Sequence, residues 1–321
     1  MTVMTKDSSS LFAIVEALFV AVLWSTSFVI IKFGSDDIPP VLFASLRYLV
    51  ASIILLFYVG TNEVHREELK QIDRIWWLKL ASYGLLYYSF AQGFLYLSLY
   101  YLPVIMISLV LNFTPVIVIF LSYFFLGEKT NWTQGFFVII SILGALLYLL
   151  PFSEIDLPAD EFLFGFSVLI LALITNSFAS VYGRAINRTK KFSAVTVTSI
   201  SMTFGSIFMF IYALIVEGFP RLNLQIIISV LILSIVTTAI AFSLWHHAMQ
   251  KLKAVQMSVI NNTMIVHTTI LAIVFLDEMP TIKGWIALFI VAVGTVLVQL
   301  YTTNDNKKKR RLSTKVNKDY N

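Results

Sequence analysis

The chain has 321 residues, of which 58% are hydrophobic and only 13% charged, whereas a soluble domain carries about 25% charged residues. That composition excludes an ordinary water-soluble enzyme or nucleic-acid-binding module and implies a polytopic membrane protein. The net charge of +5 is concentrated in short loops and in the run Lys307, Lys308, Lys309, Arg310 and Arg311, a placement that fits membrane topology and gives no footprint for nucleic acid. With no cysteine, disulfides and thiolate metal sites are excluded.

A helix needs about 20 apolar residues to cross the hydrocarbon core. In chain order, ten runs meet that demand: Leu11 to Phe33, Val41 to Val59, Trp76 to Leu99, Pro103 to Leu126, Thr133 to Pro151, Phe162 to Arg184, Ser193 to Val216, Leu224 to Ala248, Ala254 to Leu276 and Ile282 to Tyr301. The first is too long for a secretory leader and lacks a small-residue cleavage site. A short N-terminal segment, residues 1–10, precedes a first half over 11–151. An acidic, proline-containing linker, 152–161, leads to a second half over 162–301 and a basic tail, 302–321.

The halves repeat one another. At a constant offset, Ser108, Asn112, Leu126, Glu128 and Gly144 meet Ser258, Asn262, Leu276, Glu278 and Gly294, which marks an internal duplication. If the N-terminus is cytoplasmic, all but four of the 23 basic residues fall on the cytoplasmic side. Both termini are therefore expected in the cytoplasm of a multi-pass plasma-membrane protein. Five spans per half is an odd number, so the second half enters the membrane upside down. The expected fold is all-α, ten transmembrane helices in two inverted five-helix repeats, a plan that suits alternating access.

The ten spans, the turns Leu126-Gly127-Glu128 and Leu276-Asp277-Glu278, the stretch Trp24-Ser25-Thr26-Ser27-Phe28 and the triplet Leu46-Arg47-Tyr48 together resemble the EamA-type branch of the drug/metabolite transporter superfamily. The resemblance runs from about Leu11 to Tyr301. It implies a bundle in which spans one to four and six to nine surround a central cavity, with spans five and ten peripheral. Asp277 replaces the preferred glycine of the second turn, and Asn176 stands where the first half has Trp24, so the second half has diverged.

Polar groups within spans are costly in hydrocarbon and are functional candidates by default. Tyr88, Gln92 and Tyr96 recur every fourth residue and form one helical stripe, either a cavity wall or interhelical packing. Asn112 and Asn262 are repeat mates, read as cavity amides or as interhelical hydrogen bonds. Trp24 and Asn176 pair across the halves, and Trp24 lies too deep for the interfacial aromatic belt. Pro115 lacks an amide hydrogen and gives span four a hinge without a counterpart, since its mate is Ile265. His267, within span nine, is a candidate cargo ligand or is bonded to a backbone carbonyl.

Among charged groups, Glu16 is a candidate coupling carboxylate unless it reaches the interface or pairs with Lys79 or Arg184. Arg47 is a candidate anion site unless Asp36 or Asp37 neutralises it. Glu128 and Glu278 are expected to cap the helices after their turns. His246 and His247 are adjacent and point about 100° apart, unlike a zinc pair. No catalytic motif, metal set or nucleotide-binding loop stands out, so neither enzymatic activity nor a cofactor is expected. The reading is a secondary transporter that exports or exchanges a small organic metabolite, such as an amino acid, acting as a monomer or homodimer in the lipid bilayer. A channel-like uniporter, or a membrane-embedded receptor or scaffold, is the alternative.

Overall fold

The computed structural model describes residues 6–34, 38–128, 132–149, 158–218, 222–277, 279–294 and 297. Those residues form helices and connecting turns, with no strand among them. In order, the helices are α1 Lys6–Gly34, α2 Pro40–Thr61, α3 Glu63–Lys70, α4 Arg74–Gly84, α5 Gln92–Tyr101, α6 Val104–Leu111, α7 Thr114–Leu126 and α8 Trp132–Leu149. The second half supplies α9 Ala159–Asn187, α10 Ala194–Val216, α11 Leu224–Ile232, α12 Ala241–Met249, α13 Ala254–Asn262 and α14 Met264–Leu276, then α15 Ile282–Gly294. Segments of wider π-helical winding join α4 to α5 (Leu85–Ala91) and α11 to α12 (Leu233–Ile240).

Among the described residues, seven helical stretches are long and apolar enough to cross a bilayer. The expected third span is continuous from Arg74 to Tyr101, but its tyrosines and Gln92 leave it less apolar than those seven. The outward faces carry large apolar side chains such as Phe57, Leu78, Phe125 and Ile215, surface that only lipid would cover. Inside, the largest fully buried side chains include Tyr48, Tyr83, Tyr88 and Tyr96. Many intramembrane hydroxyls bond a carbonyl one turn back on their own helix, as Ser25 does to Ala21 (2.9 Å) and Ser177 to Leu173 (2.7 Å). Each such bond removes an unsatisfied donor from hydrocarbon.

The central contact is between α2 and α10. Past the C-terminus of α2, Glu68 accepts from the Ser193 amide (3.0 Å) and from the hydroxyls of Ser193 (2.7 Å) and Thr196 (2.5 Å). Past the C-terminus of α10, Glu217 accepts from the Leu42 amide (2.7 Å) at the start of α2. Each carboxylate thus caps the other helix, which fixes the two as antiparallel. Burial pushes the Glu68 carboxyl up, but the hydrogen bonds outweigh it and hold its pKa below the ordinary value. At Glu217 burial prevails over the Leu42 and Val41 amides, and its pKa is raised.

At the crossing of α4 with α10 the backbones touch. A Cβ on Gly84 would collide with the Ser201 carbonyl, and one on Gly205 with that of Gly84. The two long spans four and nine are both interrupted: α6 stops before Asn112, and α13 gives way to α14 at Thr263. Pro115 therefore lies in the first turn of α7 and not inside a continuous helix. The hinge expected in one half has a counterpart in the other, made without proline. There the Thr263 hydroxyl bonds the Ile260 carbonyl (2.7 Å), competing with the regular ladder.

Gly84→Val should lower stability by about 1–3 kcal/mol or more, the range for overpacking, read as an earlier thermal unfolding midpoint; an unchanged midpoint would contradict the close crossing. Glu217 binds its proton more tightly when folded. Stability should therefore rise as pH falls from its raised pKa toward the ordinary 4.5. The contribution of Glu68 is lost only as pH falls below 4.5 through its depressed pKa. Thermal unfolding against pH should show the rise above 4.5 flattened in Glu217→Gln.

Candidate functional site

A cavity of about 90 Å³ opens between the two halves, room for several waters or part of a small metabolite. Among the described residues, Arg47 is the one charged side chain on its wall. Of the sequence candidates, Trp24, Gln92, Tyr96, Asn112, Asn176, Asn262 and Arg47 line it; Tyr88, His267, Glu16 and Pro115 do not.

Tyr88 leaves the expected stripe because Leu85–Ala91 winds with more residues per turn than an α-helix. Gln92 and Tyr96, in the regular α5, keep the predicted face, while Tyr88 is rotated into the core against Tyr48 (5.6 Å between ring centroids) and Phe242 (5.1 Å). Tyr87 takes its place on the wall. His267 is partly buried in α14, and its Nδ1 has no hydrogen-bond partner; the expected bond to a carbonyl is not formed there.

Glu16 corrects the sequence reading. Ala13, Ala17 and Val20 of α1 pack in one cluster with Trp245, Ala248 and Met249 of α12. Glu16 is thereby set against His247, whose Nδ1 lies 2.9 Å from both carboxylate oxygens. Lys79 instead lies over the Trp76 ring at 4.9 Å. Arg184 pairs with Glu128 at 3.0 Å. Glu128 also differs from expectation: its other oxygen accepts from the amide of Ala254 (3.1 Å), so it caps α13, in the opposite half, and closes the expected cytoplasmic end around Arg184. Glu278 and the aspartates at 36 and 37 lie outside the described residues. His246 is buried between the Tyr83 hydroxyl (2.8 Å) and the Thr198 hydroxyl (2.9 Å), away from His247's partner. No metal-holding group of side chains occurs among the described residues.

Arg47 is only 3% exposed. Its guanidinium donates to the Tyr96 hydroxyl, to Thr238 Oγ1 (2.5 Å), and from Nη2 to both the carbonyl and the hydroxyl of Thr237 (2.9 Å each). The rings of Tyr48 and Tyr96 lie 5.4 and 5.9 Å away. All these partners are neutral, and no carboxylate pairs with Arg47 among the described residues. The π-helical segment Leu233–Ile240 supplies both threonines. The Thr237 carbonyl also accepts from Trp24 Nε1 (3.1 Å). Trp24 in turn packs 4.9 Å from both Phe242 and Trp245, making an aromatic floor. Tyr48 stood in the triplet Leu46-Arg47-Tyr48 without a role of its own, and Phe242, Trp245 and the threonines had no signal in the sequence beyond being aromatic or hydroxylated in a span.

On α1 the cavity wall runs from Trp24 to Ile31 and on α5 it reaches Leu99, close to the ends Gly34 and Tyr101, while on α9 and α13 it extends to Ser180 and Ser258. Toward the expected cytoplasmic end lie the aromatic floor, the alanine-packed α1–α12 contact, the Glu16–His247 pair and the Glu128–Arg184 clamp.

Comparison with known proteins agrees with this architecture. An uncharacterised transporter of Archaeoglobus fulgidus is 24% identical over 290 residues, 90% of this chain and 96% of its own length. A probable amino-acid metabolite efflux pump of Escherichia coli K12 is 25% identical over 242 residues, 72% of this chain and 76% of its own. A solved crystal structure superposes with a TM-score of 0.72 at 19% identity, covering 92% of this chain and 99% of the other, which shows a shared fold. The model of the EamA-like transporter family matches twice, over residues 11–150 and 163–300; this multi-pass membrane protein thus belongs to the EamA-like transporter family.

Proposed function

We propose that the chain is a secondary transporter that moves a small carboxylate-bearing metabolite, an amino acid being the leading class, by alternating access between two inverted five-helix repeats. Arg47 carries the reading. A buried guanidinium that faces a cavity, and whose partners among the described residues are all neutral, has charge to offer, and planar, two-pronged recognition of a carboxylate is its favoured use. The aromatic wall, including Trp24, Tyr87 and Phe242, suits the apolar part of such a cargo. Gln92, Asn112, Asn176 and Asn262 supply amide contacts in this proposal.

The antiparallel α2–α10 pair, with its reciprocal caps, supports inversion of the halves, and with it ten spans and two cytoplasmic termini in the plasma membrane. In that orientation the cavity reaches toward the outer ends of α1 and α5, and the Glu128–Arg184 clamp lies on the cytoplasmic side of the Trp24–Phe242–Trp245 floor. The E. coli relative's description as an efflux pump favours export as the working direction.

In proteoliposomes, the protein should support counterflow of labelled L-phenylalanine or another amino acid, a behaviour that separates a carrier from a channel. Arg47→Met should reduce uptake about tenfold or more, the loss of a charge-assisted hydrogen bond being about 1.5–3 kcal/mol. Arg47→Lys, which keeps charge without the planar fork, should fall between. Wild-type rates in a folded Arg47→Met protein would remove Arg47 from the site.

A further inference from the structure

At the wall formed by the two helix breaks, several buried acceptors have no donor. The Asn112 side chain is 2% exposed. Its Nδ2 donates to the Ser108 carbonyl (2.8 Å), which can only accept, so the amide orientation is fixed and Oδ1 is the free atom. That Oδ1 has no hydrogen-bond partner. Asn261 Oδ1 and Thr114 Oγ1 are likewise buried and unpartnered, Thr114 being 1% exposed. All three residues line the cavity.

The backbone adds acceptors of the same sign. Helix α6 ends at this level, and so does α13 from the other half; Asn262 Nδ2 donates to the Asn112 carbonyl across them (3.1 Å). Pro115 follows the first break, and having no N–H it gives the Leu111 carbonyl no donor four residues on. The break in the first half therefore leaves the Asn112 Oδ1 without a donor and the Leu111 carbonyl without one from residue 115, on the wall of a cavity whose charged side chain, among the described residues, is Arg47.

We infer that these acceptors form a second subsite of the cavity, opposite in sign to Arg47, which takes one monovalent positively charged group: the ammonium of the cargo or a free sodium ion. Carbonyl-rich interruptions of membrane helices hold such groups because oxygen dipoles replace the lost hydration shell. The cargo arm of the inference rests on the carboxylate reading of Arg47; the sodium arm does not.

The test uses the purified full chain in detergent. Thermal unfolding is compared in sodium chloride and choline chloride at equal ionic strength, and binding is measured for L-phenylalanine, 3-phenylpropionate, which lacks the amine, and phenethylamine, which lacks the carboxylate. Stabilisation by sodium that vanishes in Asn112→Leu and Asn261→Leu assigns a free ion. Indifference to sodium, with phenylalanine bound about tenfold tighter than 3-phenylpropionate and that preference lost in both variants, assigns the cargo ammonium. Indifference to sodium together with equal binding of phenylalanine and 3-phenylpropionate overturns the subsite and leaves Arg47's role standing. Binding of phenethylamine but not of 3-phenylpropionate supports the subsite and removes Arg47 as the carboxylate anchor.

Discussion

Two carboxylates at opposite ends of one helix pair hold the centre of this protein. Glu68 closes the start of α10 and Glu217 closes the start of α2, so neither helix can slide or tilt without uncovering amides at one end. The contact they frame places Arg47 and Tyr48 of α2 against the cavity. Beside it, α10 meets α4 at a glycine crossing with no space for a side chain.

Departures from regular helix are concentrated around the cavity. One π-helical segment turns Tyr88 away and leaves Tyr87 on the wall, and the other aims Thr237 and Thr238 at Arg47. The breaks at Asn112 and Thr263 place helix ends there. Each irregularity is tolerated because its polar groups line a cavity or find a partner inside the protein. The result, in the proposed reading, is a small chamber with a guanidinium at one place, unpartnered carbonyl oxygens at another and aromatic rings between them.

In the proposed reading, the seal at the cytoplasmic end is assembled from both halves. Glu128 of the first half meets Arg184 and the Ala254 amide of the second, and Glu16 meets His247. Bonds of this kind are exchangeable, whereas the alanine-rich contact of α1 with α12 is a matter of fit. Opening that side would require the charged groups to find new partners, which water entering the gap can supply.

The sequence by itself determined the membrane environment, the duplication and the family, because these depend on composition, on period and on repeated polar residues that no tertiary contact alters. It also put Arg47, Asn112, Asn262 and Trp24 among the candidates, since a polar or large aromatic side chain in mid-span needs a reason to be there. Tyr88 was misplaced because a four-residue stripe assumes α-helical winding, and nothing in Leu85–Ala91 announces the wider turn. Partners separated by more than a hundred residues were equally hidden: Glu16 with His247, Glu128 with the Ala254 amide, and Arg47 with Thr237 and Thr238. Only the tertiary structure decided those, because a partner is set by how helices from the two halves pack, and a one-dimensional pattern carries no record of which faces meet.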